Sequence, residues 1–220
     1  SGNFTANGTL NWTAGRIEGP TVIIPSGVVM NISGGDGKEL RNATLNNNGT
    51  IRWSGSGGIS LDGGNWYTAT INNYGTFDIQ GDATMYAGWM DRGIFNNMGT
   101  LRKSGGDGTT TLSRDSNSVF NFNNTGRVEV PSGTLSFAVE GTSPGIFDVS
   151  SGKVLAFTGR KYTVATGALF TGSGTTRITT GEVEVSGNVS ASSNTTFEIA
   201  HGNAILSGSG NFTANGTLNW

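Results

Sequence analysis

AsnGlyThrIleArgTrp at Asn48 to Trp53 and TyrGlyThrPheAspIle at Tyr74 to Ile79 carry the pattern that decides the fold: a polar turn closing on Gly, then a short polar and apolar alternation. Ile51 and Trp53, or Phe77 and Ile79, stand two apart, which puts them on one face of a strand, while Arg52, Thr76 and Asp78 face water. The cadence recurs as MetGlyThrLeuArg from Met98, ThrGlyArgValGluVal from Thr125, SerGlyThrLeuSerPhe from Ser132, SerGlyLysValLeuAlaPhe from Ser151 and SerGlyThrThrArgIle from Ser173. Gly and Asn suit such turns because they tolerate positive φ at little steric cost. No stretch holds apolar residues at i, i+3, i+4 and i+7 over two turns, and Gly interrupts every long window, so almost no helix is expected.

The turn glycines Gly27, Gly49, Gly75, Gly99, Gly126, Gly152 and Gly174 recur at a spacing of roughly 22–27 residues, a period long enough for one coil of a repeat architecture. A sandwich of hairpins would turn at intervals of roughly 8–12 residues. The wider period suits a parallel β-helix, a β-solenoid of about nine coils of roughly 22–27 residues, each coil holding two or three short strands. Further strands are read at Ile23 and Ile24, Ala43 to Leu45, Thr68 to Ile71 and Val119 to Phe122. Phe77, Ile79, Ile51, Trp53 and Leu101 share a register after the turn glycine and are expected to point inward and stack from coil to coil. Loops that bulge from the rod are expected at 33–40, 54–66, 82–93 and 104–116.

Around this body the twelve residues SerGlyAsnPheThrAlaAsnGlyThrLeuAsnTrp, Ser1 to Trp12, return letter for letter as Ser209 to Trp220, a displacement of 208 (209 − 1) along the chain. Residues 1–208 therefore read as one period of a tandem solenoid and 209–220 as the start of the next identical period. If Asn7 to Trp12 and Asn215 to Trp220 are the same strand one period apart, the rod runs on without a linker. Nine coils at about 4.8 Å each give a rise of about 43 Å per period.

Composition narrows the function classes. The 37 Gly lack a three-residue period, which excludes collagen, and 11 Phe and 5 Trp at a net charge of −2 exclude disorder. The 13 Lys and Arg are spread singly against 15 Asp and Glu, so no nucleic-acid partner is implied. No apolar run is long enough to span a membrane, and there is no Cys to form a disulfide or a thiolate site. The chain opens at Ser1 without a charged-then-apolar leader, so any export signal is expected outside these residues.

Candidate chemistry is sparse. Glu182 and Glu184 form the one tight acidic pair on a strand, and they read as a solvated strand face rather than the two opposed carboxylates of a glycosidase. His201 has no ligating neighbour in sequence and reads as a surface histidine. SerGlyGlyAspGly at Ser33 and again at Ser104 resembles glycine and aspartate calcium turns, yet each occurs singly, and both read as polar loops. The threonine runs Thr109 to Thr111 and Thr175 to Thr180 do not make an ice-binding face, because Arg52, Asp78, Arg102 and Glu129 interrupt the array. Trp66, Tyr67, Tyr86, Trp89 and Met90 could stack a sugar, or cap the core under a bulge. Eleven Asn-x-Ser/Thr sequons occur, as expected of a chain rich in Asn and Thr with AsnGlyThr among its turns. No catalytic, cofactor or metal site is assigned, and no enzyme activity is expected.

The AsnAsnGlyThr-then-strand register, together with SerGlyThrLeu and the Ser104 to Leu112 segment SerGlyGlyAspGlyThrThrThrLeu, resembles the degenerate repeats of giant bacterial surface and secreted proteins of the filamentous-haemagglutinin and autotransporter type. The resemblance implies a right-handed parallel β-helix, export to the cell surface or an extracellular filament, and a role as a structural or adhesive module. Its expected partners are neighbouring copies of the repeat, end to end, and a surface glycan; a glycan-binding module or polysaccharide-active β-helix is the alternative.

Overall fold

The computed structural model describes residues 2–62, 67–88 and 90–220. Within them the chain is all-β without helix, and every strand pairing is parallel, the arrangement of a β-solenoid. Three faces run its length. The second face is a ladder of ten strands, from Leu10–Trp12 through Thr50–Trp53, Thr76–Ile79 and Thr100–Lys103 to Asn211–Ala214. The third face begins at Gly15–Glu18 and closes at Thr217–Asn219. The first face runs from Phe4–Thr5 to Val119–Asn124, then through an Asn121 to Glu140 bridge to Gly141–Ser143 and on to Ala204–Ser207. Ten levels separated by nine steps make about nine turns.

Two strands, Val154–Ala165 and Thr175–Ser186, each serve the third face and then the first. They turn the corner at Gly159 and Gly181, whose φ values of 91° and 129° are open to glycine.

The inward side chains form columns. Phe77, Ile79, Ile51, Trp53 and Leu101 are all buried, and Phe77 pairs with Ile51 below and Leu101 above. A run of rings continues this packing, with centroids 5.3 Å apart for Phe77 and Phe95, 5.4 Å for Phe95 and Phe122, and 4.8 Å for Phe122 and Phe137. Beyond it Phe147, Phe170, Phe197 and Phe212 stack toward the last level. Offset and tilted rings at such distances attract beyond simple burial.

A polar column stands beside the aromatic one. Asn47, Asn73, Asn97 and Asn124 are buried at the corner between first and second faces. Each of the first three donates from Nδ2 to the Oδ1 of the next at 2.7 Å, and Asn124 donates to Ser143 Oγ at 3.0 Å. The same Nδ2 groups also reach the carbonyls of Thr76, Thr100 and Arg127 at 2.9 to 3.0 Å. The ladder thus satisfies its own buried amides and anchors the backbone leaving each turn.

Several sequence expectations are revised. The four stretches expected as loops each overlap a third-face strand: Lys38–Arg41, Ile59–Asp62, Met85–Ala87 and Thr109–Arg114. These strands follow Gly-rich corners without the AsnGlyThr cue, which hid their alternation. Gly152 and Gly174 precede third-face strands, whereas Gly49, Gly75, Gly99 and Gly126 precede second-face strands, so the glycine series changes face midway. The reason for glycine also differs. Gly27 and Gly152 do have positive φ. Gly75, Gly99 and Gly126 do not; a Cβ on each would overlap the carbonyl oxygen of the turn glycine one coil below, so close backbone stacking demands them. Finally, the second copy of the terminal sequence does not lie on the same faces as the first. Phe4–Thr5 and Leu10–Trp12 occupy the first and second faces, while Asn211–Ala214 and Thr217–Asn219 occupy the second and third.

Candidate functional surfaces

Outward side chains on the third face build a charged cleft near the first levels. Arg16, Glu39, Ser60 and Tyr86 form one vertical row, each the register partner of the next, and Glu18, Arg41 and Asp62 form a parallel row two residues on. Period-two alternation places both rows on the outer surface. Arg16 Nε donates to Glu39 at 2.7 Å and its Nη1 lies 3.3 Å from Glu18, while Arg41 lies 3.8 Å from both Glu18 and Glu39. With Gly15, Gly37 and Lys38 these residues, apart from Glu18, line an open cleft of about 630 Å³, walled at one end by Tyr86, whose surface is 42% exposed.

Partial burial, then the neighbouring Asp62 carboxylate, holds Glu39 above the usual carboxylate range. Glu39 and Asp62 are the acids that folding brings together, and sequence reasoning missed them because they belong to successive coils. They stand side by side on one surface and do not oppose each other across a substrate-wide gap as glycosidase acids do.

The acids singled out from the sequence have other partners. Glu184 takes a hydrogen bond from Lys161 at 2.6 Å and one from Thr163 at 2.9 Å, which hold its carboxyl below the usual range, and the same contact raises Lys161. Glu182 lies 3.7 Å from Lys161 and accepts from Ser207 Oγ at 2.5 Å. His201 is exposed, its Nδ1 accepting from the Asn203 backbone N–H at 3.2 Å. Of the aromatic group, Tyr67 and Tyr86 are exposed on the surface; Trp66 and Trp89 lie outside the described residues. Thr110 and Thr176 point into the core, which divides the threonine runs between inside and outside.

The two SerGlyGlyAspGly loops wrap buried lysine ammonium groups. Lys38 Nζ donates to the carbonyls of Asp36 at 2.7 Å and Gly34 at 3.2 Å, and burial lowers its pKa. Lys103 Nζ donates to the carbonyls of Gly81 and Gly105, both at 2.9 Å, and to Asp82 Oδ1 at 2.7 Å, which holds Asp82 below the usual carboxylate range. In each loop a lysine supplies positive charge where backbone carbonyls converge. The register offered a signal: Lys103 stands two residues after inward Leu101, in the column of Trp53 and Ile79. Among the described residues no group of three or more His, Asp or Glu side chains is arranged to hold a metal ion.

Both ends of the solenoid leave inward-facing apolar side chains uncovered. At the first level these are Phe4, 48% exposed, with Leu10 and Ile17 beside it; at the last they are Leu206, Phe212 and Leu218. The two copies of one tryptophan make the contrast sharpest, since Trp12 beneath Ile32 is 7% exposed and Trp220 is 89% exposed.

The chain matches no protein-family pattern, no curated protein and no solved structure.

Proposed function

We propose that the chain is a structural or adhesive tandem-repeat module of a long extracellular rod, joined end to end to further copies of itself and without catalytic activity of its own. The observation that carries this reading is the letter-for-letter return of Ser1 to Trp12 at Ser209 to Trp220 in a solenoid whose two end levels expose core side chains. A parallel sheet edge with unpaired N–H and C=O groups above an open apolar core is completed by another coil. Among the described residues no helix is long and apolar enough to cross a membrane.

A two-period protein is expected to be a rigid rod about 45 Å longer than the one-period protein, nine steps and one further face at about 4.8 Å per step. It is expected to melt higher, because one more interface is buried for the same two open ends. Small-angle scattering and electron microscopy decide the matter: two beads on a hinge, or no added length, would sink the continuous rod.

The third-face cleft favours a second reading, a glycan-binding module. An exposed tyrosine ring beside Ser60 and alternating Arg and carboxylate groups offers a stacking surface flanked by hydrogen-bond donors and acceptors. Binding on an array of neutral and acidic glycans is expected to fall at least tenfold in Tyr86→Ala with the melting temperature unchanged. Glycan binding that survives Tyr86→Ala rules this cleft out. New reducing ends or unsaturated products released from any polysaccharide, and lost in Glu184→Gln, would overturn the non-catalytic reading.

A further inference from the structure

Resting on the end-to-end reading, we infer that successive periods of the array are turned by one face, about a third of a turn about the rod axis, so that each surface feature points in three directions in succession. The observation is the placement of identical sequence on different faces. Phe4 pairs with Val22 on the first face at the first level; its copy, Phe212, pairs with Val189 on the second face at the last level. Leu10 lies on the second face over Met30, whereas its copy Leu218 lies on the third over Phe197. One period, Ser1 to Gly208, therefore advances the chain by nine levels and one face.

The local contacts of the second copy hold it there. Asn211 to Ala214 are in unbroken register with Asn188 to Ala191, Asn211 Nδ2 donates to Asn188 Oδ1 at 3.1 Å, and the Phe212 ring packs 4.8 Å from Phe197 and 6.3 Å from Phe170. The first face at that level is already taken by Ala204–Ser207, paired to the strand below it.

The continuation follows by identity of sequence. The next Val22 and Met30 cover Phe212 and Leu218 as they cover Phe4 and Leu10 here, and the next Ile32 covers Trp220 as it covers Trp12. The next Gly15–Glu18, a third-face strand in this period, lands on the first face above Ala204–Ser207. A solenoid with three similar faces tolerates this shift because every face offers the same parallel hydrogen-bond ladder. The charged cleft of Arg16, Glu39, Arg41, Asp62 and Tyr86 then recurs every ~45 Å, turned each time, and returns to its first direction after three periods, about 135 Å. Such an array presents one binding surface all round the rod rather than along one side, a geometry suited to multivalent contact.

Two measurements test the rotation. The chain has no Cys, so paired substitutions are unambiguous. Ser190→Cys with Thr213→Cys, register partners on the second face, is expected to close a disulfide under mild oxidation. Ile205→Cys with Thr213→Cys, on different faces, is expected to remain open. The reverse result would place the second copy on the first face and overturn the rotation even if the rod stands. In a six-period protein carrying Arg52→Cys in every period, biotinylated and decorated with streptavidin, successive labels are expected to emerge in three directions, repeating every third label. Labels on one side at ~45 Å spacing would overturn the rotation while leaving the rod intact. Beads joined by flexible hinges would overturn both.

Discussion

Phe77→Ala is expected to destabilise the solenoid by about 3 to 5 kcal/mol, the usual cost of emptying a fully buried phenylalanine site. Phe77 is completely buried between Ile51 and Leu101 and starts the run of rings through Phe95 and Phe122. Relaxation into the void is limited, because the strands above and below are tied in register on both sides. A solenoid's stability is a sum of coil terms and nearest-neighbour interfaces, so the loss of amide protection in hydrogen exchange should centre on the levels of Thr50–Trp53, Thr76–Ile79 and Thr100–Lys103. An unchanged melting temperature, or protection lost only at the ends, would show that the inward register is wrong.

Asn97→Leu, close in volume, is expected to cost about 2 to 4 kcal/mol, through unsatisfied partners rather than through a cavity. Asn97 receives a hydrogen bond from Asn73 Nδ2, donates to Asn124 Oδ1 and reaches the Arg127 carbonyl. Removing it strands an acceptor on the fully buried Asn124 and takes a hydrogen bond from the Arg127 carbonyl, while Asn73 retains only its bond to the Thr100 carbonyl. Asn72→Leu on the outward ladder is the matched control: Asn72 exchanges similar 2.9 Å bonds with Asn46 and Asn96 where water can replace them. It should cost less than about 1 kcal/mol. Equal effects at the two sites, measured by chemical denaturation, would remove the inner ladder from the list of what holds the fold together.

The charged surfaces follow the same division between dry and wet. Arg127 with Asp148, Arg177 with Glu198, and Lys161 with Glu182 and Glu184 join successive coils along the outside, and Arg127 also meets Glu129 on its own strand. Partly exposed pairs of this kind contribute little each, and less as salt rises. They set register and surface character more than stability. In the second-face column Arg52, Asp78, Arg102 and Glu129 the charge alternates in sign from coil to coil, which a strictly repeated sequence could not do.

What the sequence determined by itself was whatever depends on local alternation and on spacing. Period-two patterning after the Gly-Thr turns identified the inward residues Ile51, Trp53, Phe77, Ile79 and Leu101, because a solenoid strand buries only one of its two sides. The interval between turn glycines identified the coil, and the returning stretch Ser209 to Trp220 identified the period. Tertiary structure alone decided which residues of different coils meet. It brought Glu39 beside Asp62 and Tyr86 above Ser60, and it turned Lys38 and Lys103 inward against loop carbonyls. It also required glycine at Gly75, Gly99 and Gly126 through backbone crowding and not through φ. The shift of the second terminal copy by one face is the clearest case. Face identity depends on how many corners the intervening chain has turned, a sum over nine irregular coils, and two identical local sequences hold no record of that sum.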